Sequence, residues 1–512
     1  MNIFKYKSKN ISNASFIIAM FTFIGGFLSI FRNTLLASTF GATKILDIYY
    51  ASFRIPDFIF NIIILGTLSA GFIPLFTKYE KNKESEVFAS SIIVFITFLS
   101  SILALVFIIF ANNIVNFLFP GYDVQSLKII ASLTRIMMIQ PIILGISSLL
   151  GNMLNIKNYF VPHAVAPLFY NLGIIIGITV FYPIFGVYGL AYGVILGAVT
   201  NLLIKFIPFK LLEFKFVLPA KNKIKTYIKE FSTLTVFRAF SIINIQLFLF
   251  VLSYFASFLE PGSLGIITFV ISIQDWPKTI IATSIAIASF PYLSRNFLKS
   301  KEDFSNTVLS SLSKISYLSI LVFSLFFVLQ SQIIKILLNY GLFKGDAIQT
   351  TIIVFSIVVL GFIFYALHDL LLKILFAANN TILPFIASLV AYILGGVFMY
   401  FTINSLGIVS IAWGYVLANL LYAILLGIFV NKFIHSYVFK VFFKKLFIFI
   451  FIGILSSIAG KVVLDLINIH LLFTIILVSL VILATYIALS RAFKLREINI
   501  FQEVFNKVLK RK

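Results

Sequence analysis

Four charged side chains, Arg32, Asp47, Arg54 and Asp57, fall close together within residues 31–76, a stretch that otherwise reads as lipid-soluble. A charge at mid-bilayer costs roughly 2.5–3.5 kcal/mol on insertion scales, so intramembrane charges tend to face a water-filled cavity or a polar ligand. A guanidinium meets phosphate in two-pronged geometry, which makes Arg32 and Arg54 candidate anion ligands. Arg32 also fits a helix-terminal arginine that snorkels to the interface. Arg54 and Asp57 are three residues apart on one helix face. They read either as a neutralising pair or as a gated pair that an anionic substrate opens. Asp47 is expected at the outer mouth, where an acid in the first turn of a helix is the alternative reading. Pro56 and Gly66, with Pro74 beyond them, would supply bending or an unwound stretch.

A second constellation lies farther along. Asp275 and Lys278 flank Trp276 and Pro277 and mirror Arg54 and Asp57 with the charges reversed. Arg238 joins the candidate binding residues, with a bundle-facing structural role as its alternative. His368, Asp369 and Lys373 are of types that could pass a proton, or could simply pack or line a cavity. The four histidines show no metal-ligand spacing, and the absence of cysteine excludes disulfides, thiolate metal sites and cysteine nucleophiles. There is no Walker A motif, no HExxH and no GxSxG. The inventory predicts no catalytic residues, no metal and no cofactor. It suits a transporter rather than an enzyme, with membrane potential or a monovalent cation as candidate driving forces.

The elements that hold these residues follow from composition. The chain is 61% hydrophobic and 11% charged, against about 45–50% apolar and 25% charged in soluble domains. An all-α polytopic membrane protein is predicted. Apolar runs long enough to cross a ~30 Å hydrocarbon core recur about fourteen times. Loops rich in Lys and Arg alternate with loops carrying little beyond Lys44, Lys128, Lys335, Lys344 and Lys461. The positive-inside rule places the rich set, and with it both termini, in the cytoplasm. That topology accounts for the net charge of +23 without a nucleic-acid partner.

The longest cytoplasmic connection is the expected lobe boundary. The predicted organisation is an N-terminal lobe of six helices (1–209), an inter-lobe loop (210–229), a C-terminal lobe of six helices (230–432), two further helices (433–490) and a basic cytoplasmic tail (491–512). The second and eighth helices echo one another: each has an acid beside a proline (Asp57 and Pro56, Asp275 and Pro277), then a second proline near the cytoplasmic end (Pro74, Pro291). Such a repeat is common in transporters.

FGATKILDIYYASFRIPDFIFNIIILGTLSAGFIPLFTKY (40–79) resembles the first-loop and helix-two signature of the MurJ/MviN family of lipid II flippases, members of the MOP exporter superfamily with the MATE drug exporters. LLGNMLNIKNYFVPHAVAPLFYN (149–171), NYGLFKGDA (339–347) and LFAANNTILP (375–384) are similar, in order, to later family segments. The resemblance implies a MOP/MATE-like fold of fourteen helices and a central cationic cavity that receives a pyrophosphate-sugar headgroup. The last two helices would shape a groove for an undecaprenyl tail. Arg32 would be a cavity arginine, Asp47 the acid at the start of helix two, and Arg54 part of an Arg-x-Pro motif. Asp57 stands where the family usually has asparagine. Gly26, Phe60, Leu65 and Ser272 stand where it usually has charges.

The implied function is alternating-access transport of undecaprenyl-linked peptidoglycan precursor from the inner to the outer leaflet of the bacterial cytoplasmic membrane, for cell-wall biogenesis. The partners would be that lipid, the membrane lipids and cell-wall assembly proteins. The alternatives are a MATE-type cation-coupled exporter of organic cations and a flippase for another lipid-linked oligosaccharide.

Overall fold

The computed structural model describes residues 11–62, 71–81, 84–209, 214–217, 221–467 and 469–500. The side chains of 11–19, 221–222, 234 and 236–241 are outside that description. No strand occurs among the described residues, as expected where hydrocarbon offers backbone groups no partner and only helices satisfy them internally. Eleven described helices are long and apolar enough to cross a membrane, or twelve when a pair bent by 44° at Gly361 counts as one span. Two of the fourteen predicted spans do not enter that count. Part of the second lies outside the described residues, and in the seventh the side chains of 234 and 236–241 do too, which leaves Ile242–Ala256 as its described apolar stretch.

The chain forms two compact units. The first comprises residues up to Gly265 plus Tyr340–Phe343. Its helices are α1 (Ile11–Phe40), α2 (Lys44–Phe60), α3 (Ile73–Lys81), α4 (Ser85–Ile109), α5 (Ala111–Leu118), α6 (Val124–Met137), α7 (Ile139–Ile156), α8 (Phe160–Ile176), α9 (Tyr182–Phe185), α10 (Val187–Phe209) and α11 (Lys221–Ala256). The crossing of α8, with the π turn that follows it (Gly177–Phe181), on α10 is built from glycine. A Cβ on Gly173 would lie 2.3 Å from the Cα of Gly197, and one on Gly177 would lie 2.7 Å from the Cα of Gly193. Small residues four apart let helix backbones approach where lipid supplies no hydrophobic drive to pack.

Helix α11 groups with this first unit, so packing divides the chain after Gly265 rather than in the 210–229 loop. The reason lies at both of its ends. Near the N-terminal end of α11, Glu230 receives hydrogen bonds from Lys78 and Tyr79 of α3, and Glu84 receives them from Lys223 (2.8 Å) and Tyr227 (2.9 Å). At the other end, Ser253 meets Arg54 of α2. The segment 340–343 joins the same unit because Leu342 donates its amide to the Ser38 carbonyl (2.8 Å), with Gly41 and Gly341 both at positive φ to allow the approach.

The second unit contains α12 (Ser263–Lys278), whose first three residues cluster with the first unit, then α13 (Ser284–Lys299), α14 (Lys301–Leu338), α15 (Asp346–Leu360), α16 (Phe362–Ala377), α17 (Ile382–Leu406), α18 (Ile408–Asn431), α19 (Tyr437–Leu466) and α20 (Leu471–Ala492). The last two helices pack on α14, where Tyr317, Phe449, Ile452, Ile482 and Tyr486 form a buried core.

The helix-two and helix-eight echo has a structural counterpart. Four residues after Asp57, Asn61 donates its side-chain amide to the Asp57 carbonyl (2.8 Å); four residues after Asp275, Thr279 donates its hydroxyl to the Asp275 carbonyl (2.8 Å). Both helices then widen into π geometry, at 61–62 and at Thr279–Thr283. Side-chain bonds to the carbonyl four residues back accompany helix bends, and π turns recur at functional sites.

Candidate functional site

In the first unit, α1 and α8 bring Arg32 against Asn171. Arg32 Nη1 donates to Asn171 Oδ1 (2.9 Å), while Nη2 (2.9 Å) and Nε (3.2 Å) both donate to Asn33 Oδ1. Asn171 is itself oriented by donating to the Pro167 carbonyl one turn back (3.0 Å). The half-buried guanidinium is thus held by neutral amide oxygens and has no carboxylate partner among the described residues. On α2, Arg54 Nε donates to Ser253 Oγ of α11 (2.8 Å), and Asp57 Oδ1 accepts from Gln140 of α7 at the long distance of 3.5 Å. The expected Arg54–Asp57 face therefore reaches out to two other helices. The described charges of this cluster, Arg32, Arg54 and Asp57, are net cationic.

Asp47 has a different role. It is 1% exposed, and its two carboxylate oxygens accept the backbone amides of Gly262 (2.7 Å) and Gly265 (2.8 Å) at the start of α12. A carboxylate there satisfies orphan helix amides and complements the helix dipole. Asp47 ties the start of α2 to that helix start and is spent as a ligand. Pro56 is buried inside α2, and Pro74 is the exposed second residue of α3, preceded by π-helical residues 71–72. Gly66 lies outside the described residues, as does the side chain of Arg238 on α11.

In the second unit, Asp275 and Lys278 do not pair with each other but separate to different partners. Tyr365 of α16 donates its hydroxyl to Asp275. Lys278 pairs with Asp369 of α16 at 3.3 Å and lies over the Tyr365 ring, 3.8 Å from its centroid. Asp369 also accepts from Thr283 (2.7 Å), the last residue of the π turn, and stands 3.4 Å from His368 Nδ1. His368 packs against the rings of Tyr365 and Tyr422. This is a dense half-buried network with one cation and two acids. Lys373, grouped with His368 and Asp369 from sequence, lies near the Phe290 ring instead.

Sequence reading missed Asn33, Gln140, Ser253, Tyr365 and Thr283 as partners. Their signal was slight: a polar side chain on an otherwise apolar face, visible only once a second helix supplies the charge. Among the described residues no cluster of three or more His, Asp or Glu could hold a metal ion.

The second unit also carries a mainly apolar groove of about 770 Å³ between α14, α16 and α19, with Phe323, Phe327, Phe364 and Ile454 on its walls. At one end it meets the Lys461–Asp465 ion pair (2.7 Å).

The chain is 27% identical over 419 residues to the probable lipid II flippase MurJ of Buchnera aphidicola subsp. Baizongia pistaciae, covering 80% of this chain and 81% of that relative. It is 28% identical over 406 residues to the probable lipid II flippase MurJ of Borreliella burgdorferi, covering 78% and 79%. Among solved structures, a lipid II flippase MurJ in an inward closed conformation matches with a TM-score of 0.78 at 20% identity, over 93% of this chain and 98% of that one. An inward-facing MATE-family multidrug transporter of the MOP superfamily matches with a TM-score of 0.66 at 15% identity, over 81% and 96%. At these identities the structures speak to a shared MOP-type all-α fold. The model of the family described as lipid II flippase MurJ matches residues 36–487, most of the length, and the chain belongs to that family.

Proposed function

We propose that this multi-pass membrane protein is a lipid II flippase, moving the lipid-linked peptidoglycan precursor from the inner to the outer leaflet of the cytoplasmic membrane, with both termini in the cytoplasm. The observation that carries the reading is Arg32. A half-buried guanidinium held only by the amide oxygens of Asn33 and Asn171 is oriented but not neutralised. A pyrophosphate can supply the missing charge through the bidentate geometry that guanidinium favours. Arg54 adds a second positive charge, and Asp57, weakly held by Gln140, is the group an arriving anion would displace.

In the second unit, Asp275 and Lys278 act within the network around Tyr365 and Asp369. The groove beside α19 suits a polyprenyl chain, since its walls are mainly apolar and α19, one of the two added helices, forms one of them. The driving force is the membrane potential: an anionic headgroup moving outward is driven by an inside-negative potential and gains about 2.3 kcal/mol per charge per 100 mV. Alternating exposure of the site to the two leaflets completes the cycle.

The test is Arg32→Ala in a flippase-depleted cell. Growth should fail with protein level normal, and labelled precursor should accumulate on the cytoplasmic leaflet. Arg32→Lys, which keeps the charge and loses the fork, should restore only part of the growth. Full growth of the alanine strain would overturn the role of Arg32.

A further inference from the structure

A polar pocket of about 600 Å³ opens between α13 and α14, wholly within the second unit. Helical spacing builds it. On α13, Ser289, Tyr292 and Asn296 recur at intervals of three and four, and on α14 Asp303, Thr307, Ser310 and Lys314 do the same, so each set shares a face. Two cross-helix hydrogen bonds fix the walls, Asn296 Nδ2 to Thr307 Oγ1 (2.8 Å) and Ser311 Oγ to Ser289 Oγ (3.0 Å). The two helices meet at Ser300, beside Arg295, Lys299 and Lys301, a basic cluster that marks this end as cytoplasmic.

The chemistry of the walls selects the ligand. Asp303 is already paired with Lys299 (2.8 Å), which leaves Lys314 as the single cation of the lining and at most one charged contact. Beside Ile285, Ala288 and Ile500, the remaining polar groups are hydroxyls and amides, which both donate and accept and therefore suit a neutral polyol. Tyr292 stands at the rim 64% exposed, with no ring contact among the described residues. A phenol offers an apolar face and a polar tip, the combination that meets a pyranose, whose faces are C–H and whose edges are hydroxyl. The volume lies within the ~300–1,000 Å³ of ordinary ligand pockets.

We propose that this pocket is a carbohydrate subsite that holds a sugar ring of the lipid-linked headgroup on the cytoplasmic side, with Tyr292 as the stacking platform and Asn306 as a hydrogen-bonding edge. The inference rests on the flippase reading and adds a recognition element separate from the Arg32 cluster.

The experiment uses the full chain in proteoliposomes and two probes: lipid-linked precursor bearing its sugars, and undecaprenyl pyrophosphate, which has the anion and tail but no sugar. Tyr292→Ala should weaken binding of the sugar-bearing lipid about tenfold, the upper range for an aromatic contact. It should leave undecaprenyl pyrophosphate binding as in the wild type. Tyr292→Trp should restore affinity, and Asn306→Ala, also at an exposed position, should reproduce the loss. Equal weakening of both probes, or no change in either, would overturn the subsite. Failure of the wild-type protein to bind the sugar-bearing lipid at all would overturn the flippase reading itself.

Discussion

Lys278 and Asp369 stand 3.3 Å apart across α12 and α16, with side-chain exposures of 12% and 22%. The pair is where the two arms of the second network join, because the same ammonium lies over the ring of Tyr365, whose hydroxyl is bonded to Asp275. Removing one member of such a pair leaves the other without compensation in a poorly solvated place, at a cost of about 3–5 kcal/mol, whereas removing both with good packing is often neutral. Asp369→Asn should therefore lower the melting temperature of the detergent-solubilised protein sharply. The double substitution Lys278→Met with Asp369→Leu should recover most of it. A double variant as unstable as the single one would show that the pair is not what couples α12 to α16.

Tyr365 makes two contacts that substitution can separate. Tyr365→Phe keeps a ring beneath Lys278 but takes the donor from Asp275, leaving a half-buried carboxylate short of a hydrogen bond, worth about 1–3 kcal/mol. The expected outcome is a modest loss of stability by thermal unfolding, and further substitution of Asp275→Asn should add little to it. Additive losses would mean that the Tyr365–Asp275 bond contributes nothing of its own.

Much of the architecture was legible in the sequence because hydrocarbon imposes one rule, that long apolar runs become helices. The acid-proline echo of helices two and eight also reached the structure, as Asn61 and Thr279 bonding back to Asp57 and Asp275. The site was less legible. Helical spacing put Asp275 and Lys278 on one face, yet each found a nearer partner on α16, a helix some ninety residues away in sequence. Asp47 reads from sequence as an outer-mouth acid or a first-turn helix acid, and sequence cannot show that the amides of Gly262 and Gly265 arrive at its two oxygens. Side-chain spacing constrains neighbours within a helix, and tertiary packing decides who takes them.

The N-terminal end of α11 should release in acid. Hydrogen bonds from Lys223 and then Tyr227 hold the Glu84 carboxyl below its ordinary value of 4.5, and Lys78 followed by Tyr79 does the same for Glu230. A carboxylate with a lowered folded pKa contributes stability above its unfolded value and loses it as pH falls through the folded one. The latch should thus be intact at neutral pH and weaken only below about 4.5. Hydrogen exchange across Lys221–Glu230 at pH 7 and pH 3.5, corrected for intrinsic rates, should show protection lost at the lower pH. Glu84→Gln with Glu230→Gln should show that low protection already at pH 7. Equal protection of this variant and the wild type at pH 7 would remove the latch from the account of why α11 packs with the first unit.

The α8–α10 crossing makes the sharpest steric prediction. At Gly173 a new Cβ would fall 2.3 Å from the Cα of Gly197, and that neighbour is backbone, which cannot turn aside as a side chain can. Gly173→Val must push the helices apart, and overpacking of this kind costs about 1–3 kcal/mol or more. Gly427 on α18 is the matched control. There a Cβ would meet only the far end of Phe439 at 3.8 Å, an ordinary contact. Gly427→Ala removes a flexible residue from a helix interior, a change worth up to about 1 kcal/mol in its favour. Melting curves of the two variants should therefore move in opposite directions, down for Gly173→Val and level or up for Gly427→Ala. A Gly173→Val protein that melts with the wild type would mean that the glycine faces of α8 and α10 are not what sets their separation.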